Sequence, residues 1–408
     1  MQESSAQAFQ IYQSRKQASH RLSFIIGICL AMFLIFHPVR TLAQEFPYLV
    51  VDRASGVVLS ENKPFQRWYP ASLTKLMTLY VALRAIKAGE IQPGSPVAMS
   101  KLATRQPPSK MGYVRGTRMR LDTAMKILIV KSANDVSVAL AEAVSGTVGN
   151  FVARMNEEAR RLGMNDSAFA NPNGLHSPKQ YVTARDMALL ARTIFDEFPE
   201  YSDYFATPAI QTSKKVHYSY NLLLERFSGA DGMKTGFVCA SGYNMVASAT
   251  RGERQLIAVV LGTFSQSERA IAAAKLLSEG FDSRTGPEIS TYISSGASAP
   301  AENQRPRMCS EQARANRYDP GAGAAKIDSP FLETRKITRQ PLTISVGGID
   351  APPSDAFASE QLAPKGKVPV PSPRPAYVRF DIDGERSEKL GRIRGLIPTP
   401  VWRPDLAR

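Results

Sequence analysis

Residues 69–78 read YPASLTKLMT, which places Ser72 three positions before Lys75. Apolar side chains recur at helical spacing from Leu73 to Leu83, so this stretch predicts a helix with Ser72 at or just inside its N-terminus. Side chains three positions apart on a helix lie within reach of each other. A serine hydroxyl needs an adjacent base near neutral pH. We therefore predict Ser72 as a nucleophile and Lys75 as its base.

Two later motifs complete a set of three, namely Ser-Ala-Asn beginning at Ser132 and Lys-Thr-Gly beginning at Lys234. Each alone is common by chance, but the ordered set is typical of serine enzymes that use lysine as the base. A hydroxyl both donates and accepts hydrogen bonds, so Ser132 is predicted to shuttle a proton to the leaving amine. Asn134 is predicted to bind near Lys75 and to a substrate amide. If Lys234 lies across the cleft, its charge lowers the pKa of Lys75 and its ammonium holds Ser132.

The third motif also predicts how substrate binds. Lys234 and Thr235 offer a cation and a hydroxyl, which suit a substrate that ends in a carboxylate. Gly236 leaves room for a peptide to lie along the strand edge and pair with its main chain. The backbone amides of Ser72 and Phe237 are the predicted donors to an oxyanion.

The order of apolar patterns predicts one α/β domain over residues 46–283, built as an antiparallel sheet flanked by helices, with a helical lobe. The predicted elements are a hairpin over residues 48–59, helices through residues 116–195 broken by a loop at 171–174, strands at 243–248 and 256–261, and a helix near 267–281. Two of the predicted helices, at residues 121–130 and 136–143, flank Ser132 and Asn134.

Residues 1–43 are predicted to be a secretory signal peptide. Basic polar residues precede an apolar run from Leu22 to Phe36, and small residues follow before Gln44. An uncleaved N-terminal anchor is the alternative, because about 20 apolar residues are needed to cross a bilayer. Either reading places the protein outside the cytoplasm, in the periplasm or cell envelope, and association with the membrane stays open.

Residues 284–408 are predicted to form a basic, Pro- and Ala-rich, largely disordered tail, with one isolated strand at residues 342–346. Cys29 would leave with the signal, so Cys239 and Cys309 remain. In an oxidising compartment they could form a disulfide, but two unpaired thiols fit the sequence equally well.

The formal net charge of +15 suits a polyanionic neighbourhood, such as wall polymer or anionic lipid, or it simply favours solubility. No nucleic-acid module accompanies the charge, so a nucleic-acid partner is not expected. The histidines and cysteines show no metal-ligand spacing, so neither a metal nor another cofactor is expected.

Over residues 46–283 the chain resembles the low-molecular-weight penicillin-binding proteins, the serine D-alanyl-D-alanine carboxypeptidases of peptidase family S11. The resemblance rests on the three motifs with their flanking text and on LGM at 162–164, NPNGL at 171–175, TARDM at 183–187 and DGM at 231–233.

This resemblance implies a β-lactamase/transpeptidase-like fold. It also implies an enzyme that acylates Ser72 with peptidoglycan pentapeptide stems, releases the terminal D-Ala and hydrolyses the ester with water. β-Lactams would acylate Ser72 as covalent inhibitors. One departure is Gln255, which stands where the family often has a strand arginine, so carboxylate recognition is redistributed, with Arg254 beside it.

Three alternatives stay open on the sequence alone. An endopeptidase that cuts D-Ala cross-links would use the same residues on a longer substrate. A serine β-lactamase would need a positioned carboxylate for fast deacylation. A cell-wall-binding protein without activity would act through the basic tail, although it has no physical need for Lys75 and Lys234 beside a serine.

Overall fold

The computed structural model describes residues 46–212, 215–294, 299–317, 329–334 and 339–346. The predicted signal peptide, the alternative anchor and most of the predicted tail lie outside the described residues, so these remain predictions.

Ten strands are described. In chain order they are β1 (Tyr48–Asp52), β2 (Val58–Asn62), β3 (Pro96–Ala98), β4 (Arg118–Arg120), β5 (Ala209–Gln211), β6 (Val216–Tyr218), β7 (Ala230–Val238), β8 (Gly242–Arg251), β9 (Arg254–Thr263) and β10 (Leu342–Thr343). The main sheet is antiparallel throughout, with the order β2-β1-β9-β8-β7. Strand β7, which carries the Lys-Thr-Gly motif, is therefore an edge strand of this sheet.

Eleven α-helices are described. They are α1 (Thr74–Lys87), α2 (Lys101–Thr104), α3 (Leu121–Val130), α4 (Asn134–Ser145), α5 (Val148–Arg161), α6 (Ala184–Glu197), α7 (Asp203–Ala206), α8 (Leu223–Arg226), α9 (Gln266–Asp282), α10 (Arg305–Cys309) and α11 (Glu311–Arg317). Among the described residues no single helix is long and apolar enough to cross a membrane, although the bent pair α4 and α5 passes that test when taken together.

The two faces of the main sheet pack against different helices. In β1, Leu49 and Val51 join the apolar core that contains α1 and the other helices of the helical lobe, whereas Val50 joins the core beneath α9. Side chains alternate across a strand, which explains this division. Because both faces are covered, β8 and β9 are almost continuously buried and apolar. The sheet is thus a rigid support for its edge strand β7.

The predicted fold class, an antiparallel sheet flanked by helices with a helical lobe, agrees with this fold. The helix predicted at residues 121–130 is α3, and the strands predicted at 243–248 and 256–261 lie within β8 and β9. The strand predicted near residue 342 exists as β10, but it pairs with β5 in a second, three-stranded sheet rather than standing alone.

A disulfide joins Cys239 to Cys309, which decides between the two alternatives that the sequence left open. Cys239 follows β7 directly, and Cys309 ends α10, beyond the predicted domain boundary. The neighbouring Met308 is fully buried, and a side chain added at Gly242 would meet it. The main-chain amide of Gln304 donates to Ala240 O at 3.0 Å. Residues after position 283 therefore pack on the turn between β7 and β8.

We expect reduction of this disulfide to lower the free energy of unfolding by about 2–5 kcal/mol, because the bridge closes a long loop. The two cysteines are 70 residues apart in sequence. Thermal unfolding with and without reductant measures the effect. Cys239→Ser and Cys309→Ser should each unfold at the temperature of the reduced wild type and should not respond to reductant. A wild-type protein that reductant leaves unchanged would contradict a stabilising bridge.

Candidate active site

Ser72 lies in a 3₁₀ turn over Ala71–Leu73, and α1 begins immediately after it at Thr74. Lys75 occupies the first turn of α1, and its Nζ lies 3.0 Å from Ser72 Oγ. Lys75 is 0% exposed. Its Nζ also donates to Asn134 Oδ1 at 2.8 Å and to the main-chain oxygen of Asn173. The predicted nucleophile and base are thus in direct contact.

The surroundings of Lys75 favour the neutral form of its amine. Burial, and after it the positive charge of Lys234, hold the pKa of Lys75 well below its ordinary value, while Asp135 acts in the opposite direction. An amine with a lowered pKa can accept a proton near neutral pH. The side chain therefore has the protonation chemistry that a base requires.

Ser132 and Lys234 form a second serine–lysine pair on the opposite side of the cleft. Lys234 Nζ donates to Ser132 Oγ and to its neighbour Thr235 O, both at 2.9 Å. Burial, and then the charge of Arg269, lower the pKa of Lys234 to about 7. Ser132 has a φ of 59°, which is unfavourable for a residue with a side chain and is common at functional sites.

Strand β7 brings the remaining predicted residues to the cleft. Thr235, Gly236 and Phe237 all line it. A Cβ at Gly236 would lie 2.9 Å from Ser72 N, so a larger residue would push the strand away from the serine. Phe237 is partly exposed, and its ring packs on Tyr243 with the centroids 4.3 Å apart.

Asn134 lines the cleft and links Lys75 to the loop that contains Pro107. Its Oδ1 accepts from Lys75, and its Nδ2 donates to Pro107 O at 3.0 Å. The contact with Lys75 agrees with the sequence-based expectation, while the contact with Pro107 was not anticipated.

The loop at residues 171–175 was recognised in the sequence as a turn but not as part of the site. Gly174 has a φ of +84°, and a Cβ there would lie 1.9 Å from Ala71 O, so only glycine allows the loop to reach the turn that carries Ser72. The loop also supplies the Asn173 oxygen to Lys75. The composition Asn-Pro-Asn-Gly indicated a loop, and it was the sequence feature that could have drawn attention to this segment.

Arg269 is a further cleft residue that sequence reasoning missed. It lies in the first turn of α9 and is 3% exposed, and its guanidinium donates to Tyr220 O at 2.9 Å. Its Nε has no hydrogen-bond partner among the described residues. Arg254, which the sequence suggested as a carboxylate-binding group, instead pairs with Asp52 at 2.7 Å and does not line the cleft.

Together these residues enclose a cleft of about 370 Å³. The cleft is lined by Ser72, Ser132, Asn134, Thr235 and Arg269, while Lys75 and Lys234 are buried and do not line it. None of the described residues that line the cleft is Asp or Glu. The arrangement presents a serine beside a lysine whose pKa is held well below its ordinary value, and a cationic end for an anionic group.

An antiparallel sheet with a helical lobe and two serine–lysine pairs defines the transpeptidase-like class of proteins. The family described as D-alanyl-D-alanine carboxypeptidase, Peptidase_S11, matches residues 41–265. The chain belongs to this family.

Curated relatives include D-alanyl-D-alanine carboxypeptidase DacA of Haemophilus influenzae and DacC of Escherichia coli. The chain is 39% identical to DacA over 239 residues, which are 57% of this chain and 61% of that protein. It is 38% identical to DacC over 241 residues, which are 57% of this chain and 60% of that protein. The matches span about three fifths of the length of these relatives.

Solved structures show the same fold. Penicillin binding protein 5 from Haemophilus influenzae is 38% identical with a TM-score of 0.55, over 58% of this chain and 70% of that chain. Penicillin-binding protein D2 from Listeria monocytogenes, in a cefotaxime-bound form, is 27% identical with a TM-score of 0.53, over 58% of this chain and 96% of that chain.

Proposed function

We propose that the protein is a serine-type D-Ala-D-Ala carboxypeptidase that removes the terminal D-Ala from peptidoglycan pentapeptide stems. The observation that carries the proposal is the fully buried Lys75, which lies 3.0 Å from Ser72 Oγ and has a lowered pKa. The relatives whose names describe this activity support it.

In the proposed acylation, neutral Lys75 takes the proton of Ser72 as Oγ attacks the carbonyl carbon of the penultimate D-Ala. The oxyanion is stabilised by the backbone amides of Ser72 and Phe237. Ser132 passes its proton to the nitrogen of the leaving D-Ala and takes up the proton that Lys75 removed from Ser72, so Lys75 is a neutral amine again. In deacylation, Lys75 takes a proton from the attacking water and returns it to Ser72 Oγ as the ester bond breaks, which releases the shortened peptide and regenerates the serine.

Substrate recognition depends on the cationic end of the cleft. Thr235 contributes a hydroxyl, and the Arg269 guanidinium has a buried, unpartnered Nε close to Lys234. A C-terminal carboxylate satisfies these donors, because hydrogen bonds to a charged acceptor are strong. The peptide then runs along the edge of β7, where Gly236 leaves room for it.

The cleft lining argues against a serine β-lactamase. Rapid deacylation by such an enzyme needs a carboxylate that activates water. The described residues that line the cleft include no Asp or Glu. We therefore propose that β-lactams acylate Ser72 and remain as covalent inhibitors, in line with the cefotaxime-bound structure of the Listeria protein.

We further propose that the protein is exported, through the signal-like residues 1–43, and acts in the periplasm or cell envelope. The Cys239–Cys309 disulfide supports this location, because such bridges persist in oxidising compartments. We propose that the basic charge allows weak association with anionic wall or membrane surfaces. The boundary at residue 283 remains a proposal, since described residues after it pack on the domain, among them Gln304 on the β7–β8 turn and Ile289 on the turn after β1.

The test of the activity is D-Ala release from a peptide that ends in Lys-D-Ala-D-Ala, compared with the same peptide carrying a C-terminal amide. We expect release from the free acid, and release at least about tenfold slower from the amide because the Thr235 and Arg269 donors lose a charged acceptor. Equal rates would contradict the carboxylate role of the cationic end. Failure to release D-Ala from the free acid would contradict the proposed activity.

The pH dependence follows from the two lysines. The rate of Ser72 acylation should fall at low pH, where Lys75 becomes protonated, and fall again above about pH 7, where Lys234 loses the proton that binds Ser132. Rapid-mixing kinetics with a fluorescent penicillin across pH 4–10 measure both limbs. Lys234→Arg keeps its charge, so its alkaline limb should move to higher pH. A wild-type rate that stays flat through this range would contradict the assignment.

A further inference from the structure

One end of the cleft is bridged by a contact between Lys131 and Tyr220. Lys131 follows α3 and directly precedes Ser132, whereas Tyr220 lies between β6 and α8, on the side of the cleft that leads into β7. Lys131 Nζ is 3.4 Å from Tyr220 Oη and 5.6 Å from the ring centroid. Tyr220 lines the cleft and is 42% exposed. This contact therefore links the helical lobe to the sheet at the rim of the cleft.

The bridge lies at the end of the cleft where the leaving residue is proposed to bind. Arg269, the proposed carboxylate-binding group, donates to the main-chain oxygen of Tyr220 at 2.9 Å. Ser132, the proposed donor to the leaving amine, is the neighbour of Lys131 in sequence. A carboxylate held by Arg269 and an amine facing Ser132 therefore place the leaving residue beside Tyr220, which lines the same cleft.

The main chain around Tyr220 is fixed on both sides. Ser219 N donates to Pro208 O at 2.7 Å. The side chain of Asn221, which is buried, donates to Gly232 O at 3.0 Å in β7. Together with the contact from Arg269, these bonds hold the segment against the sheet. The main chain at Tyr220 is thus fixed, and its ring forms a wall of the cleft that is tethered by the contact with Lys131.

We infer that Tyr220, tethered by Lys131, is a specificity-determining residue that limits the leaving group to a single D-amino acid. This inference rests on the proposed carboxypeptidase function and separates it from cleavage of D-Ala cross-links. In a cross-linked substrate, the leaving amine belongs to a residue of a second peptide, and the rest of that peptide is attached to this residue. The attached peptide has to pass the contact between Tyr220 and Lys131, and it displaces the ring of Tyr220 from Lys131.

The test compares two substrates with the same acyl donor. One is a pentapeptide stem, which releases D-Ala, and the other is a D-Ala cross-linked dimer of stems, which releases a second peptide. The measured quantity is the ratio of kcat/KM for the dimer to kcat/KM for the pentapeptide, obtained by chromatography of the products. The wild type should give a low ratio.

Tyr220→Ala should raise this ratio by about tenfold or more, because the wall is removed while the base and nucleophile remain. Lys131→Met, which removes only the contact with Tyr220, should raise the ratio by a smaller factor, about threefold. Tyr218→Ala is the matched control, since Tyr218 is 62% exposed, lies two residues away and does not line the cleft. Its ratio should equal that of the wild type.

An unchanged ratio in Tyr220→Ala, with D-Ala still released from the pentapeptide, would overturn the inference and leave the proposed function intact. A wild type that releases no D-Ala would overturn the proposed function and the inference with it. Should Tyr220→Ala not fold, Tyr220→Leu and Lys131→Met decide by the same ratio, and no rise in either would overturn the inference.

Discussion

Ser72→Ala should eliminate covalent labelling by a fluorescent penicillin and lower D-Ala release by about 10⁴-fold or more, because no acyl-enzyme can form. Ser72 Oγ is the hydroxyl in contact with Lys75 Nζ, at 3.0 Å, whereas Ser132 Oγ is occupied by Lys234. The change removes one oxygen from a partly exposed side chain, so the fold should persist.

Labelling followed by gel electrophoresis, together with thermal unfolding, checks this expectation. Ser228→Ala is a suitable control, because Ser228 is exposed and does not line the cleft, and it should label like the wild type. Persistent labelling of Ser72→Ala, at any residue within the cleft, would refute the assignment of the nucleophile. A loss of labelling with a large drop in unfolding temperature would instead show a structural role.

Lys75→Met should slow Ser72 acylation by about 10²–10⁴-fold, the usual contribution of a general base. Methionine has a similar length but cannot accept the serine proton. Lys75→Arg should be equally slow, because a guanidinium stays protonated at the working pH. Single-turnover acylation rates measure both. A Lys75→Arg protein that acylates at the wild-type rate would show that Lys75 contributes charge rather than a basic lone pair.

The same lysine should leave a signature in stability. The folded-state pKa of Lys75 lies well below its ordinary value, so between these two values the unfolded chain binds a proton that the folded protein does not. Stability therefore rises with pH in this window. The wild type should gain stability relative to Lys75→Met as the pH is raised from 7 to 10 in denaturant titrations. A constant difference would mean that the folded-state pKa is not lowered.

The sequence predicted the elements of the fold well because their patterns are local. Apolar spacing defined α3 to the residue, and β8 and β9 follow from their long buried runs. The helix predicted to begin at Val136 begins instead at Asn134. The preceding Ala133 is extended, and this places Asn134 in the first turn, where its side chain reaches Lys75.

The composition of the site was harder to predict, because it depends on contacts between distant segments. The order of the three motifs along the chain is visible in the sequence. The prediction that they meet in one cleft depended on the resemblance to a family. Arg254 and Arg269 are both basic residues near the last strands, and only the fold shows that Asp52 binds the first while the second turns into the cleft. Lys75 also contacts the main-chain oxygen of Asn173. Because every residue has a main-chain oxygen, the residue type at position 173 does not indicate this contact.

The Cys239–Cys309 bridge also gives the chain a covalent ring. The ring contains β8, β9 and α9, so it encloses two central strands of the main sheet and the helix that carries Arg269. A single cut of the backbone by a protease within the ring leaves the two pieces joined through sulfur. Where proteases are present, a nicked molecule therefore keeps the strand with the Lys-Thr-Gly motif and the helix with Arg269 in one covalent unit.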